Sequence, residues 1–292
     1  MKVEKINLQL KRLLGQREKK VLATLIFPFR NYFILFNLGK KAKNNHVNLN
    51  YWNESKNLGD MLSPVVVNHM LSLKNISPDK SVSTCRHLYA VGSILTAGLQ
   101  DATVWGSGVL NASLTYRLQN RKLDIRAVRG PITCTILRDY GFEVPEIYGD
   151  PAIILPEIYP VLSKRKIAEF GLVIHKDYVL EKKEIPNNIL RLDICTSDYK
   201  KFIDDLVSVN IIISSSLHGI ILAEAYGIPA ILLKPQIDVI KYYDYYYSTG
   251  RTNFVVANTI EEAMQMDPPP LPDTSTLRKN LKNSFPYDLY EN

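Results

Sequence analysis

Between residues 47 and 233 the chain alternates short apolar runs of strand type with segments of helix type, and this restricts the fold more than any other feature. Strands separated by helices pair in parallel through right-handed crossovers, so an α/β fold follows. "VNLNYW" alternates like a strand, "NESKNLGDMLSP" reads as a loop rich in Asn and Gly, and "VVVNHMLSL" reads as a helix. "HLYAVGSIL" reads as strand, turn and helix start, and "ATVWGSGVL" as a strand entering a glycine-rich loop. "LDIRAVRG" is a strand, and Pro131 suits the first turn of the helix "PITCTILRDYG", with Gly141 as its stop. "EIYGDPAIILP" follows as a short strand and a loop.

Residues 156–166, "PEIYPVLSKRK", shift in composition and read as a linker. The pattern then restarts. "FGLVIH" and "ILRLDIC" are strands, "DYKKFIDDLVSV" is an amphipathic helix, and "NIIISSS" is a strand. "LHGIILAEAYG" is a helix ended by Gly227, and "IPAILL" a strand. The expected architecture is two Rossmann-like domains, residues 47–158 and 165–260, facing across a cleft. Residues 261–292 are expected to form a tail packing back on the first domain.

The 292 residues suffice for two domains, and the net charge of +7 favours anionic partners. No compact Lys/Arg block is interleaved with aromatics, so nucleic acid is not expected. Cys85, Cys134 and Cys195 lie far apart with no CxxC, which suggests neither a zinc site nor a disulfide framework. A reducing, cytoplasmic location fits, and the N-terminus shows no signal-peptide pattern. Residues 1–46 form a separate basic, apolar segment. Within it "VLATLIFPFRNYFILFNLG" carries Pro28, Arg30 and Asn31 at its centre, which is costly for a membrane span. It reads either as a segment lying peripherally on an anionic membrane surface, or as ordinary buried elements.

In open parallel sheets, ligands bind at the carboxyl ends of strands. Ser214, Ser215, Ser216, Leu217 and His218 lie at such an end, leading into a helix N-terminus that attracts anions. The serines read as helix caps or anion contacts. His218 is the candidate for proton transfer, set against an ordinary structural histidine. No GxSxG elbow suggests a serine nucleophile. In the first half, Asn57 and Asp60 precede a helix, and Ser107 and Gly108 follow a strand as a backbone nest. Arg129 offers a planar fork for carboxylate or phosphate, and Asp150 sits in a loop. Taken singly, these are equally turn and cap residues. "KYYDYYYSTGR", with five tyrosines, reads either as an aromatic platform for a sugar through Tyr243 and Tyr246, or as a helix packing its rings.

Through "NLGDMLSP", "AVGSIL", "VWGSGV", "AVRGPITCTIL…YG", "YGDPAIILP", "SSSLHGIILAEAYGIPAILL" and "KYYDYYYSTGR", the chain resembles the polysaccharide pyruvyl transferase family from about Asn48 to Arg251. The resemblance implies a fold similar to B-type glycosyltransferases. It implies transfer of the pyruvyl unit of phosphoenolpyruvate to two hydroxyls of one sugar, giving a cyclic ketal and phosphate. The implied acceptor is a precursor of an exopolysaccharide or capsule, often lipid-linked. Phosphoenolpyruvate is then a substrate, and no cofactor or metal is implied.

Similar proteins hold the donor with an Arg matching Arg129 and with the turn matching Ser216 to His218. Some carry an Arg where this chain has Ser216, so a cation must come from elsewhere, with Arg251 and Lys234 as candidates. His218 is then the proton donor to the methylene carbon, and Asp60 or Asp150 the acceptor of a sugar-hydroxyl proton. Two rivals share the pattern. One is a nucleotide-sugar glycosyltransferase using Glu224 for the ribose. The other is a non-catalytic carbohydrate-binding scaffold protein.

Overall fold

A computed structural model describes residues 42–291, apart from 54–55, 162–164, 181–184 and 237–238. The N-terminal segment of residues 21–39 lies outside the described residues. Strands β1 (Val47–Asn50), β2 (Arg86–Tyr89), β3 (Ala102–Trp105) and β4 (Leu123–Ala127) form one sheet in that order, with every pairing parallel. Strands β5 (Ala168–Val173), β6 (Ile189–Leu192), β7 (Val209–Ser214), β8 (Ala230–Leu233) and β9 (Val256–Ala257) form a second parallel sheet, ordered β6-β5-β7-β8-β9. The helices are α1 (Leu58–Ser72), α2 (Pro131–Asp139), α3 (Leu155–Ile158), α4 (Tyr199–Leu206), α5 (Leu217–Ala225), α6 (Ile240–Ser248), α7 (Ile260–Gln265) and α8 (Ser275–Asn283). Alternation of strand and helix thus yields parallel α/β sheets, as the pattern predicts.

Side chains alternate across each strand, so one strand serves two cores. Trp105 and Ile212 point into a large apolar cluster that also holds Leu58, Leu62, Ile153, Ile220 and Leu281. Their neighbours Val104 and Ile213 point into two smaller clusters, one on each sheet's other face. The large cluster therefore joins α1, α5, the Pro151–Ile154 turn and the C-terminal helix. Residues 217–224 of α5 are all buried, which is why its sequence is apolar all round rather than on one stripe. Each fully buried Leu or Ile contributes about 1.5–3 kcal/mol.

Two predicted elements differ. α1 begins at Leu58, so "LGDMLSP" is helix rather than loop, with Pro64 inside it. Pro64 has no N–H to give the carbonyl four residues back, that of Asp60. No helix follows β2. Residues 90–101 form an irregular segment in which Val91 and Leu95 are fully buried. Three of its carbonyls are satisfied by two arginines: Arg121 donates to Leu95 and Gln100, and Arg117 to Thr96.

At the C-terminus, Trp105 Nε1 donates to the Leu281 carbonyl at 2.9 Å, and Phe285 meets the same indole edge-on at 4.8 Å. Arg86 donates to the carbonyls of Asp288 and Leu289, each at 2.9 Å. Residues 275–290 thereby pack on the β1–β4 sheet. Among the described residues no helix is long and apolar enough to cross a membrane.

Candidate functional site

His218 is the second residue of α5 and is 8% exposed. Its ring lies on Gly59, in the first turn of α1: a Cβ built there would fall 1.9 Å from Nδ1. Only glycine leaves room for the imidazole. Nε2 stands 3.5 Å from Asp150 Oδ2, near enough for attraction if the ring is charged. The pair is not aligned as a hydrogen bond, and both atoms are buried with no partner. Orphaned buried polar atoms are rare and need a reason, such as a ligand or a catalytic role. The other oxygen, Asp150 Oδ1, accepts the Ala152 N–H at 3.0 Å and caps the Pro151–Ile154 turn. One oxygen of Asp150 therefore shapes its loop while the other faces the histidine.

Asp60 follows Gly59. Its Oδ2 accepts from Asn57 Nδ2 at 2.7 Å, so Asn57 orients it. Burial pushes the Asp60 carboxyl above the usual range, against the opposing effects of His218, Asn57, Lys241 and Lys176. The N-terminus of α1 is pinned to the second sheet's side by Leu58 N–H donating to the Ile194 carbonyl at 2.9 Å.

The serines brace the turn instead of capping α5. Ser216 occupies the cap position in extended conformation, but its side chain makes no capping bond. Ser214 Oγ accepts the Ser216 N–H at 3.0 Å. Ser215 Oγ accepts the His175 N–H at 2.9 Å, and the Ser215 carbonyl accepts the Tyr242 hydroxyl at 2.6 Å. Leu217 is a core residue, 2% exposed.

Several expected contacts prove to be internal. Arg129 has no accessible surface. It donates through Nε to Asp244 Oδ2 at 3.0 Å, through Nη2 to the Val109 carbonyl at 2.8 Å, and through Nη1 to Ser93 Oγ. Its guanidinium lies against Gly108, where a Cβ would come within 2.4 Å of Cζ. Asp244 also accepts the Thr133 N–H at 2.9 Å and its hydroxyl at 2.7 Å. Arg129 is thus the centre of a buried clamp between the end of β4, α2 and α6. The Ser107–Gly108 nest is likewise used up, because Ser107 Oγ and Gly108 N–H both donate to the Gly92 carbonyl.

The two expected replacement cations sit differently. Arg251 pairs bidentately with Glu224 at 2.6 and 2.8 Å and lies over the Tyr246 ring. Lys234 is exposed. Tyr246 is 1% exposed and stacks on Phe254 at 4.2 Å, so a sugar cannot reach it; Tyr243 packs edge-on with Tyr247 and Phe254 and is 38% exposed. The tyrosine-rich stretch is helix α6, with Tyr242, Tyr245 and Tyr246 on its buried face.

What the sequence did not single out is Lys241, the buried residue at the head of α6, with His175, Lys176 and Asp177 just after β5. Lys241 Nζ is 3.3 Å from His175 Nε2. Burial, aided by the charge of Arg129, pushes the Lys241 amine down to about 8. Burial and Lys241 push His175 down to about 4. Asp60 and His175 each feel both His218 and Lys241, so these four groups form one electrostatic cluster. Helical spacing of 241, 242, 245 and 246 was the available signal. Among the described residues no group of three or more His, Cys, Asp or Glu is placed to hold a metal ion.

A sequence model of polysaccharide pyruvyl transferases matches residues 57–236, more than half of the chain. The chain belongs to the polysaccharide pyruvyl transferase family. The matched stretch of this pyruvyl transferase takes in Asn57, Asp60, Arg129, Asp150, His175 and His218, and stops short of Lys241 and Asp244. The succinoglycan biosynthesis protein ExoV of Rhizobium meliloti is 28% identical over 236 residues, 73% of this chain and 69% of its own. The uncharacterised protein L143 of Acanthamoeba polyphaga mimivirus is 28% identical over 210 residues, 68% of this chain and 72% of its own. A crystal structure of an uncharacterised Klebsiella pneumoniae protein superposes on 81% of this chain and 98% of its own, with a TM-score of 0.49 and 13% identity.

The packing of His218 on Gly59 gives a test within this pyruvyl transferase. Gly59→Ala is expected to cost about 1–3 kcal/mol by overpacking. By displacing the imidazole it should lower the transfer rate by about 10²-fold. Thermal melting and turnover of the variant check both; normal turnover would show that the ring need not lie there.

Proposed function

We propose that the chain transfers the pyruvyl unit of phosphoenolpyruvate to two hydroxyls of one sugar in a cell-surface polysaccharide precursor. The product is a cyclic ketal, with phosphate released. Family membership supports pyruvyl transfer to polysaccharide, and the relative named for succinoglycan biosynthesis agrees with an exopolysaccharide acceptor. The observation that carries the reading is the pair of buried, unpartnered atoms His218 Nε2 and Asp150 Oδ2, 3.5 Å apart beside Asp60.

The proposed reaction begins with His218, beside Asp150, giving its Nε2 proton to the methylene carbon of the donor. The neighbouring carbon becomes oxocarbenium-like. A sugar hydroxyl adds there and its proton passes to Asp60, whose burial raises its basicity. Phosphate leaves and a second hydroxyl closes the ketal. Two hydroxyl protons are lost; one balances the new methyl group and one the departing phosphate. Tyr243 is the accessible aromatic edge for the acceptor.

We place the reaction in the cytoplasm, at the inner face of the membrane, on a lipid-linked acceptor, in a cleft of the B-type glycosyltransferase kind. The basic charge of +7 suits an anionic surface. A nucleotide-sugar reading loses its ribose contact, because Glu224 is occupied by Arg251 and by the Tyr245 hydroxyl at 2.7 Å.

The test is phosphate release from phosphoenolpyruvate with galactose-, glucose- and mannose-type acceptors, lipid-linked ones included. Acceptor-dependent release is expected. Absence of release with every acceptor, alongside binding of a nucleotide sugar, would overturn the proposal.

A further inference from the structure

Lys241 is a buried cation with no carboxylate partner among the described residues; its Nζ lies 3.3 Å from His175 Nε2 and 5.2 Å from the centre of the Tyr242 ring. Whether the contact is a satisfied hydrogen bond depends on which ring nitrogen of His175 carries the proton. His175 Nδ1 accepts the Asp177 N–H at 3.2 Å, so the proton of the neutral ring sits on Nε2. The Nε2–H and the ammonium then face each other as two donors with no acceptor between them. Both are fixed from the same serine turn. The His175 backbone N–H binds Ser215 Oγ, and Tyr242, next to Lys241, binds the Ser215 carbonyl. Three residues further on stands His218, whose own Nε2 is unpartnered. A buried ammonium and a half-buried ring N–H converging beside a proton donor describe a seat for an anion, since a buried polar group without a partner is costly.

We propose that Lys241 Nζ and His175 Nε2–H together bind an anionic group of the donor substrate, its phosphate or its carboxylate. This rests on the proposed pyruvyl transfer for the identity of the donor, but the seat itself follows from the geometry. The seat supplies the positive charge that Arg129, locked to Asp244, does not offer. The other charged groups facing Lys241 are Asp60, Asp177, Lys176 and Arg129. The ammonium is present below about pH 8 and lost above it.

The experiment is calorimetric binding of phosphoenolpyruvate, inorganic phosphate and pyruvate to wild type, Lys241→Met, Lys241→Arg and His175→Phe, with melting curves for each. Lys241→Met should melt no lower than wild type, since it removes a buried charge. It should bind phosphoenolpyruvate on the order of 10- to 100-fold more weakly. A matching loss for inorganic phosphate assigns the seat to the phosphate group; a matching loss for pyruvate assigns it to the carboxylate. Wild-type affinity should fall as pH rises through about 8, while Lys241→Arg should hold its affinity there because guanidinium stays charged. Unchanged phosphoenolpyruvate binding by a folded Lys241→Met would overturn the seat and leave the transfer reaction standing. Failure of wild type to bind phosphoenolpyruvate, with Lys241-dependent binding of a nucleotide sugar, would instead overturn the reaction and keep the seat.

Discussion

Asp244→Asn is expected to destabilise the protein by about 3–5 kcal/mol, the cost of leaving a buried charge without its partner. Asp244 and Arg129 are both without exposed side-chain surface. The Asp244 carboxylate accepts from Arg129, from the Thr133 N–H and from the Thr133 hydroxyl. An asparagine keeps the shape but leaves the guanidinium uncompensated, away from the protein surface. For a domain of this size the melting temperature should fall by about 6–20 °C. The double variant Arg129→Met/Asp244→Leu should lose much less than the two single variants summed, because it removes both charges together. A melting temperature unchanged in Asp244→Asn would show that the clamp does not hold the fold.

His218→Gln should lower the rate of acceptor-dependent phosphate release by about 10²–10⁴-fold, the usual range for loss of a positioned proton donor. Glutamine fills similar space against Gly59 and keeps a polar end towards Asp150, so folding should be preserved. The two variants separate the site into parts. Asp244→Asn attacks the scaffold, and His218→Gln the chemistry. A His218→Gln enzyme with the wild-type rate would move the proton donor to another group of the cluster around Asp60, His175 and Lys241.

Local pattern was enough for the strands and for α5. "NIIISSS" and "IPAILL" are β-type apolar runs, and each pairs in parallel within the second sheet. His218 was legible because it follows a strand and opens a helix, where α/β sheets place ligands. The start of α1 was hidden, because Gly59 and Pro64 read as loop residues while tertiary packing on His218 and the core overrides that preference. The segment after β2 has the apolar content of a helix but is held open by Arg117 and Arg121, which lie over twenty residues later.

The clamp and the anion seat were not legible for the same reason. Arg129 meets Asp244 across 115 residues, and Lys241 meets His175 across 66. A sequence shows that an arginine stands at a strand end; it does not show that a carboxylate on a later helix has already neutralised it. Arg129 and Arg251, both expected at the donor, are each paired within the protein, to Asp244 and Glu224.

The most direct test of the account is mass and NMR analysis of the saccharide after incubation with the full chain and phosphoenolpyruvate. The account predicts an acceptor that has gained pyruvate less one water, with a ketal methyl signal bridging two oxygens of one sugar, in step with phosphate released. An acceptor that gains a hexose from a nucleotide sugar, and nothing from phosphoenolpyruvate, would contradict it.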